Sequence, residues 1–243
     1  MKNPAFTTIE EAFLYCRDMD ASLDERLETF SNVARALRPE AQAAVDRMVE
    51  RLKAHRAGDG APRPGDRMPP FTLPDETGRL VSLHSLLAVG PVAVIFHRGH
   101  WCPYCRISTR ALAEAQEKIR EEGAQIVAIM PEREQFAAAL KSDARLHYPV
   151  LTDIDNGYAL SLNLAIWVGE EVQRLMGASG RDLPRYQGND AWLLPIPATF
   201  VLASDGTIAA RFIDPDYRKR MTVEDMVKAL RNAQDPAGTA AKP

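Results

Sequence analysis

The chain predicts an α/β fold, a mixed central sheet flanked by helices, with an N-terminal helical extension. Three observations carry that prediction. The first quarter shows only helical periodicity, strand and helix signals alternate from Phe71 onward, and Asp205-Gly206 sits between two apolar runs as a hairpin turn. The 243 residues correspond to about 1.6 average domains, so one domain with a sizeable appendage is expected.

In the extension, Phe6, Ile9, Phe13 and Cys16 recur at helical spacing, followed by Leu23, Leu27, Phe30, Val33, Ala34 and Leu37. A third set, Val45, Met48, Val49 and Leu52, follows Pro39, which suits a first helical turn. These stripes predict a helical extension over 1–56 that must bury its apolar faces elsewhere. Residues 57–70 hold three glycines and four prolines and read as a linker or extended lead-in to a domain over 71–243.

In that domain Val92–Phe96 is a buried strand bounded by Gly90-Pro91 and Gly99. Residues 103–122 follow helical spacing until Gly123 stops them. Next come a strand over Ala124–Met130, a helix over Glu132–Leu140, a short strand over Tyr148–Leu151 and a helix over Gly157–Leu164. Ala165–Pro195 reads as an insertion with one helix, Glu170–Met176, and a Gly/Pro/Asn-rich tail. Thr199–Leu202 and Ile208–Ile213 form the hairpin, and a last helix spans Thr222–Arg231 behind a capping threonine.

Composition narrows the function. Hydrophobic residues make up 46% and charged residues 26%, as in ordinary globular proteins. The net charge of −3 leaves no basic excess for nucleic acid or an anionic membrane. No apolar stretch approaches the roughly 20 residues that span a bilayer, and no signal-peptide pattern opens the chain, so a cytoplasmic location is expected. Three cysteines make no disulfide framework.

Two of those cysteines lie in Phe96-His97-Arg98-Gly99-His100-Trp101-Cys102-Pro103-Tyr104-Cys105-Arg106, where a buried strand ends and a helix begins. Free backbone N–H groups and the helix dipole favour an anion there, and the thiolate is the reactive form of cysteine. Arg98, Arg106 and His100 add positive charge nearby. The i, i+3 spacing puts both sulfurs on one face of the first turn, within reach of a disulfide. A zinc site would need four ligands; the only other cysteine is Cys16 and no His-x₃₋₅-His pair exists, so neither metal nor cofactor is expected. Inert core cysteines remain the plain alternative. Cys16 is expected to pack in the core, with a resolving thiol as its alternative. His97 reads as a satisfied buried histidine or a proton handler. Trp101 flanks the sulfurs, and Trp167 and Trp192 read as core residues or as walls of a substrate surface.

From about Arg67 to the C-terminus the chain resembles the peroxiredoxin-like branch (alkyl hydroperoxide reductase/thiol-specific antioxidant type) of the thioredoxin-fold superfamily. The resemblance rests on Phe96-His97-Arg98-Gly99-x-Trp101-Cys102-Pro103-Tyr104-Cys105, Tyr148-Pro149-Val150-Leu151-Thr152-Asp153 and Ile196-Pro197-Ala198-Thr199-Phe200-Val201. It implies a thioredoxin-like fold. It also implies an antioxidant oxidoreductase: a thiol-dependent peroxide reductase cycling through a Cys102–Cys105 dithiol and disulfide, with thioredoxin or glutathione as reductant and a homodimer as one assembly open to it.

The departures are specific. In the peroxiredoxin Pro-x-x-x-Thr-x-x-Cys frame, Arg98 replaces the proline, Cys102 the threonine, and Cys105 takes the peroxide-attacking position. The family arginine becomes Pro197, which matches instead the cis-proline of thioredoxin-like proteins. The buried aspartate of thioredoxins is Phe96, and Cys-Pro-Tyr-Cys is the glutaredoxin active-site sequence. A thioredoxin- or glutaredoxin-like thiol-disulfide oxidoreductase is therefore the alternative activity, with Cys102 attacking a disulfide substrate. The catalytic candidates are Cys102, Cys105, Arg98 and Pro197; His97, His100, Trp101 and Tyr104 are candidates for substrate binding or proton handling.

Overall fold

The computed structural model describes residues 6–234. Three N-terminal helices come first: α1 (Ile9–Asp18), α2 (Leu23–Leu37) and α3 (Pro39–Ala54). Thr8 and Ser22 each close a capping box, accepting from the backbone N–H of Glu11 and Glu25 while those carboxylates reach back. Pro39 begins α3, where its missing N–H costs nothing.

The rest runs β1 (Thr72–Pro74), β2 (Leu80–Ser82), α4 (Leu83–Leu87), β3 (Val92–Phe96), α5 (Pro103–Glu121), β4 (Gln125–Met130), α6 (Glu134–Ala144), β5 (Val150–Thr152), α7 (Gly157–Ser161), β6 (Ala165–Trp167), α8 (Glu170–Ala178), α9 (Leu183–Gln187), β7 (Leu193–Pro195), β8 (Ala198–Leu202), β9 (Ile208–Ile213) and α10 (Val223–Gln234). The central sheet has the order β5-β4-β3-β8-β9. β3, β4 and β5 are parallel; β8 and β9 are antiparallel neighbours on the other side of β3.

Strand periodicity divides the sheet's side chains between two cores. Val92, Val94, Phe96, Ile129 and Phe200 face a layer made by β1, β2, α4 and α7. Ala93, Ile95, Ala128, Met130 and Val201 face α5, α6 and α10. β3 is buried on both faces, which is why it reads as an unbroken apolar run.

The N-terminal helices close against the start of α5. Phe13, Cys16, Leu27, Phe30 and Ala34 share one core with Cys102, Tyr104, Cys105 and Ile107. Arg26, almost fully buried, grips Glu114 on α5 with two hydrogen bonds of 2.7 and 3.2 Å. On the other side α3 packs on α8, with Val45, Met48 and Val49 against Val172, Met176 and Leu194.

Three expectations change. The insertion contains a second helix, α9, and its ends pair as the two-stranded sheet β6–β7. Gly188 gives the positive φ that ends α9. Trp167 is no core residue: it is 48% exposed, and its ring lies under the Arg51 guanidinium, 5.9 Å away. The β1–β2 hairpin and α4 precede the first strand expected from the sequence. Among the described residues, no helix is long and apolar enough to cross a membrane.

Candidate active site

The site forms at the C-terminal end of β3, where ligand clefts of open α/β sheets are found. After Phe96 the chain leaves the sheet through His97, Arg98 and Gly99, and α5 begins at Pro103. Gly99 has φ 148°, a conformation side chains avoid. A Cβ there would lie 2.5 Å from Trp101 Nε1 and 2.8 Å from the Glu132 carboxylate. Gly99→Ala is therefore expected to destabilise the fold by roughly 2–4 kcal/mol, combining backbone strain with overpacking. An unchanged melting temperature in thermal denaturation would refute this account of the turn.

Cys102 is the N-cap of α5, and Cys105 lies inside its first turn. Both thiols are free and buried. Although Cys102 is only 1% exposed, it lines a cleft of about 530 Å³; Cys105 lies behind it, off the cleft wall. Cys105 Sγ accepts from the Arg98 backbone N–H at 3.4 Å and from Arg220 Nη2 at 3.5 Å.

The two thiols are driven apart electrostatically. Burial alone would raise Cys102. Hydrogen bonding between the thiols and the guanidinium charges of Arg98 and Arg220 overcome it and bring Cys102 well below an ordinary thiol. Burial pushes Cys105 well up, and the negative charge on Cys102 pushes it further. One thiolate beside one thiol is the ready state of a dithiol pair.

Arg98 is 4% exposed and lies over the Tyr217 ring at 3.7 Å and the Trp101 ring at 5.2 Å. Arg98 is thus a buried cation packed on aromatic rings and not a solvated surface arginine. Arg106, in contrast, turns outward to Asp143 at 3.0 Å and lies over Phe13. His100 does not line the cleft with Cys102. Its backbone N–H donates to Glu132 Oε2 at 2.7 Å, its Nδ1 is 2.9 Å from Oε1, and its ring stacks on Phe136. Tyr104 packs edge-on against Phe30 and Tyr217. Trp101, Tyr104 and Tyr217 line the cleft with Cys102.

His97 is fully buried, yet neither ring nitrogen has a hydrogen-bond partner among the described residues, so the satisfied histidine is not found. Burial, helped by the nearby Arg220 charge, pushes it down to about 3 and keeps it neutral. Cys16 is a core residue as expected, its thiol pushed up to about 11 by burial.

Pro197 needs correction. No peptide bond among the described residues is cis, so the Ile196–Pro197 bond is trans. The Ile196 N–H donates to the Leu164 carbonyl at 2.8 Å, and the chain passes extended from β7 into β8. Because Ala198 pairs with Phe96, Pro197 lies at the site's end of the sheet, but it does not line the cleft.

Sequence reasoning missed Arg220, Tyr217 and Glu132. Glu132 had a signal: it follows the end of β4, the parallel neighbour of β3, at the sheet edge where sites form. Arg220 and Tyr217 had none, standing over a hundred positions from the cysteines in an irregular segment. Among the described residues, no group of three or more His, Cys, Asp or Glu could hold a metal ion.

Comparison with known proteins agrees with this architecture. The AhpC/TSA family profile matches residues 64–211. Chloroplastic peroxiredoxin Q of Sedum lineare is 34% identical over 92 residues, covering 38% of this chain and 49% of the relative. That of Gentiana triflora is 25% identical over 169 residues, covering 70% and 67%. For the Sedum relative, then, the chain spans about half the length. Among solved structures, peroxidoxin BcpB from Mycobacterium tuberculosis has a TM-score of 0.54 at 22% identity, covering 70% of this chain and 96% of that one. Peroxiredoxin 6 of Arenicola marina has a TM-score of 0.57 at 14% identity, covering 74% and 77%. These likenesses establish the thioredoxin-like fold. With more than half of its length matched by the profile, the chain belongs to the AhpC/TSA family.

Proposed function

We propose that the protein is a thiol-dependent peroxide reductase with Cys102 as the attacking sulfur. The observation that carries this reading is the placement of Cys102, at the N-cap of α5 and on the wall of the cleft, with Cys105 one turn behind it; the nearby charges of Arg98 and Arg220 favour the Cys102 thiolate. The thiolate attacks one peroxide oxygen; the S–O bond forms as the O–O bond breaks, and the alcohol or water leaves with a proton. Cys102 is then a sulfenic acid. Cys105 attacks that sulfur, water departs, and a Cys102–Cys105 disulfide forms. Two thiols of an external reductant, thioredoxin or glutathione, restore the pair and become a disulfide themselves. The reaction needs a reducing compartment, for which the cytoplasm is our reading.

One observation favours a second reading. The outer, N-cap sulfur is the activated one, which is the thioredoxin-like frame, so a thiol-disulfide oxidoreductase without a peroxide step is the alternative. A coupled assay with thioredoxin, its reductase and hydrogen peroxide or tert-butyl hydroperoxide decides between them. Peroxide-dependent turnover is expected. Reduction of a model disulfide with no peroxide consumption would replace the first reading by the second.

A further inference from the structure

Arg98 is a buried cation with no carboxylate to match it. It lines the cleft with Cys102, and among the described residues no Asp or Glu lies within ion-pair distance of its guanidinium, although most other arginines of the fold have one. A desolvated charge needs compensation from its surroundings. Here two ring faces supply it, Tyr217 at 3.7 Å and Trp101 at 5.2 Å. Trp101 belongs to the same turn as Arg98 and moves with it. Tyr217 comes from elsewhere, the segment between β9 and α10. An arginine side chain has many rotamers, so a group outside the turn must select the one that lies beside Cys102.

The segment that carries Tyr217 is itself pinned. The Asp216 N–H donates to Asp214 Oδ1 at 2.8 Å, and Arg218 Nε donates to Asp216 Oδ1 at 2.7 Å. Arg218 then reaches α3, where its Nη1 donates to Asp46 Oδ1 at 2.7 Å. The Tyr217 ring meets Tyr104 edge-on at 5.5 Å, and Tyr104 meets Phe30 of α2 at 5.1 Å. Neither residues 214–220 nor α2 and α3 fall within the profile match at 64–211. An aromatic ring on a cleft wall is ordinarily only packing. A ring pinned from two helices and set directly against an unpaired guanidinium fixes where that charge stands.

We propose that Tyr217 is a positioning residue of the thiol chemistry, its ring face holding the Arg98 guanidinium beside Cys102. The inference rests on Cys102 being the reactive sulfur. The charge of Arg98 favours the Cys102 thiolate, whereas burial opposes it. The other charged or titratable groups facing Cys102 are Arg220, Cys105, Tyr104 and Tyr217, with Glu132 behind the turn and Arg38 and Arg181 on the cleft wall. Burial pushes both tyrosines up, so neither ionises between pH 4 and 8. Glu132, also pushed up by burial, is common to every variant compared.

The test is the pH profile of iodoacetamide alkylation in the reduced full-length protein, with the labelled cysteine located by mass spectrometry. Tyr217→Leu should raise the midpoint for Cys102 by about one pH unit, so that well below the native midpoint alkylation is about tenfold slower. Tyr217→Phe keeps the ring and should keep the native profile. Opening the site to water would instead lower the midpoint, because burial is what raises it. In an Arg98→Gln background, whose midpoint is already raised, Tyr217→Leu should move it no further. A measurement on the native protein needs no Tyr217 variant to fold: the Arg98 side-chain protons, assigned by their loss in Arg98→Gln, should show an upfield ring-current shift by NMR. An unmoved or lowered midpoint in Tyr217→Leu, a Tyr217→Phe profile like that of Tyr217→Leu, a further shift in the Arg98→Gln background, or unshifted Arg98 signals each overturns the proposal. Label on Cys105 in the native protein would overturn the choice of Cys102 as attacking sulfur; label on Cys102 with an unmoved midpoint overturns the role of Tyr217 alone.

Discussion

Cys102→Ser is expected to abolish both the peroxide reaction and disulfide exchange, a loss on the order of 10⁴-fold or more, as for other lost covalent nucleophiles. The reason is positional as well as chemical. Cys102 is the sulfur that meets the cleft and the one held as a thiolate; Cys105 is behind it and held as a thiol. Cys105→Ser should therefore keep the first step and stop there, leaving a sulfenic acid on Cys102 that dimedone traps and mass spectrometry locates. Turnover should fail because nothing resolves the intermediate. If Cys105→Ser destroys the first step while Cys102→Ser keeps it, the peroxiredoxin spacing governs and Cys105 attacks. Retention of both reactions in both variants would end the enzyme reading altogether.

Arg220→Gln should move the pH dependence of Cys102. Arg220 is 7% exposed, donates to Cys105 Sγ and favours the Cys102 thiolate by its charge. Cys102 is reactive when deprotonated, so in the native protein alkylation should hold steady through neutral pH and fall as the pH drops through about 5. Loss of one nearby cation moves a pKa by about 1–3 units, so the fall should begin at higher pH in the variant. At pH 6 the variant should react about tenfold more slowly, and near pH 9 the two proteins should converge. The groups facing the pair are Arg98, His97 and the Glu132–His100 couple; His97 stays neutral throughout this range, although losing Arg220 removes part of its depression. A pH profile identical to the native one would show that Arg220 is only a packing residue.

What the sequence revealed follows the range of the interactions involved. The Val92–Phe96 strand, the α5 start and the three N-terminal helices were legible because local apolar periodicity and capping specify them. The β1–β2 hairpin was not. Its strands have three residues each, too short for a period, and one ends in proline. The β6–β7 pair joins segments separated by α8 and α9, and nothing local announces it. The same division applies to the site. The Cys102–Cys105 motif and Arg98 are contiguous and could be read. Arg220 reaches Cys105 from 115 positions away, and Glu132 reaches His100 from 32. Arg106, adjacent to the motif, was the misleading neighbour: helical geometry turns it out to Asp143.

The seat of Cys105 directly behind Cys102 bears on how such an enzyme would survive its own substrate. A sulfenic acid exposed to more peroxide proceeds to sulfinic acid, which ordinary thiols do not reverse. Where the resolving sulfur is distant, a segment must unfold before it arrives, and the second oxidation competes during that delay. Here the two cysteines lie within one helical turn, Cys102 at the N-cap of α5 and Cys105 inside its first turn. Ring closure then needs only side-chain rotation, a motion on the picosecond-to-nanosecond scale, instead of loop rearrangement over microseconds or longer. On this scaffold an oxidised Cys102 would wait on the sulfur chemistry alone and on no rearrangement of the chain, which would shorten its exposure to a second peroxide relative to an enzyme that must first unfold a segment.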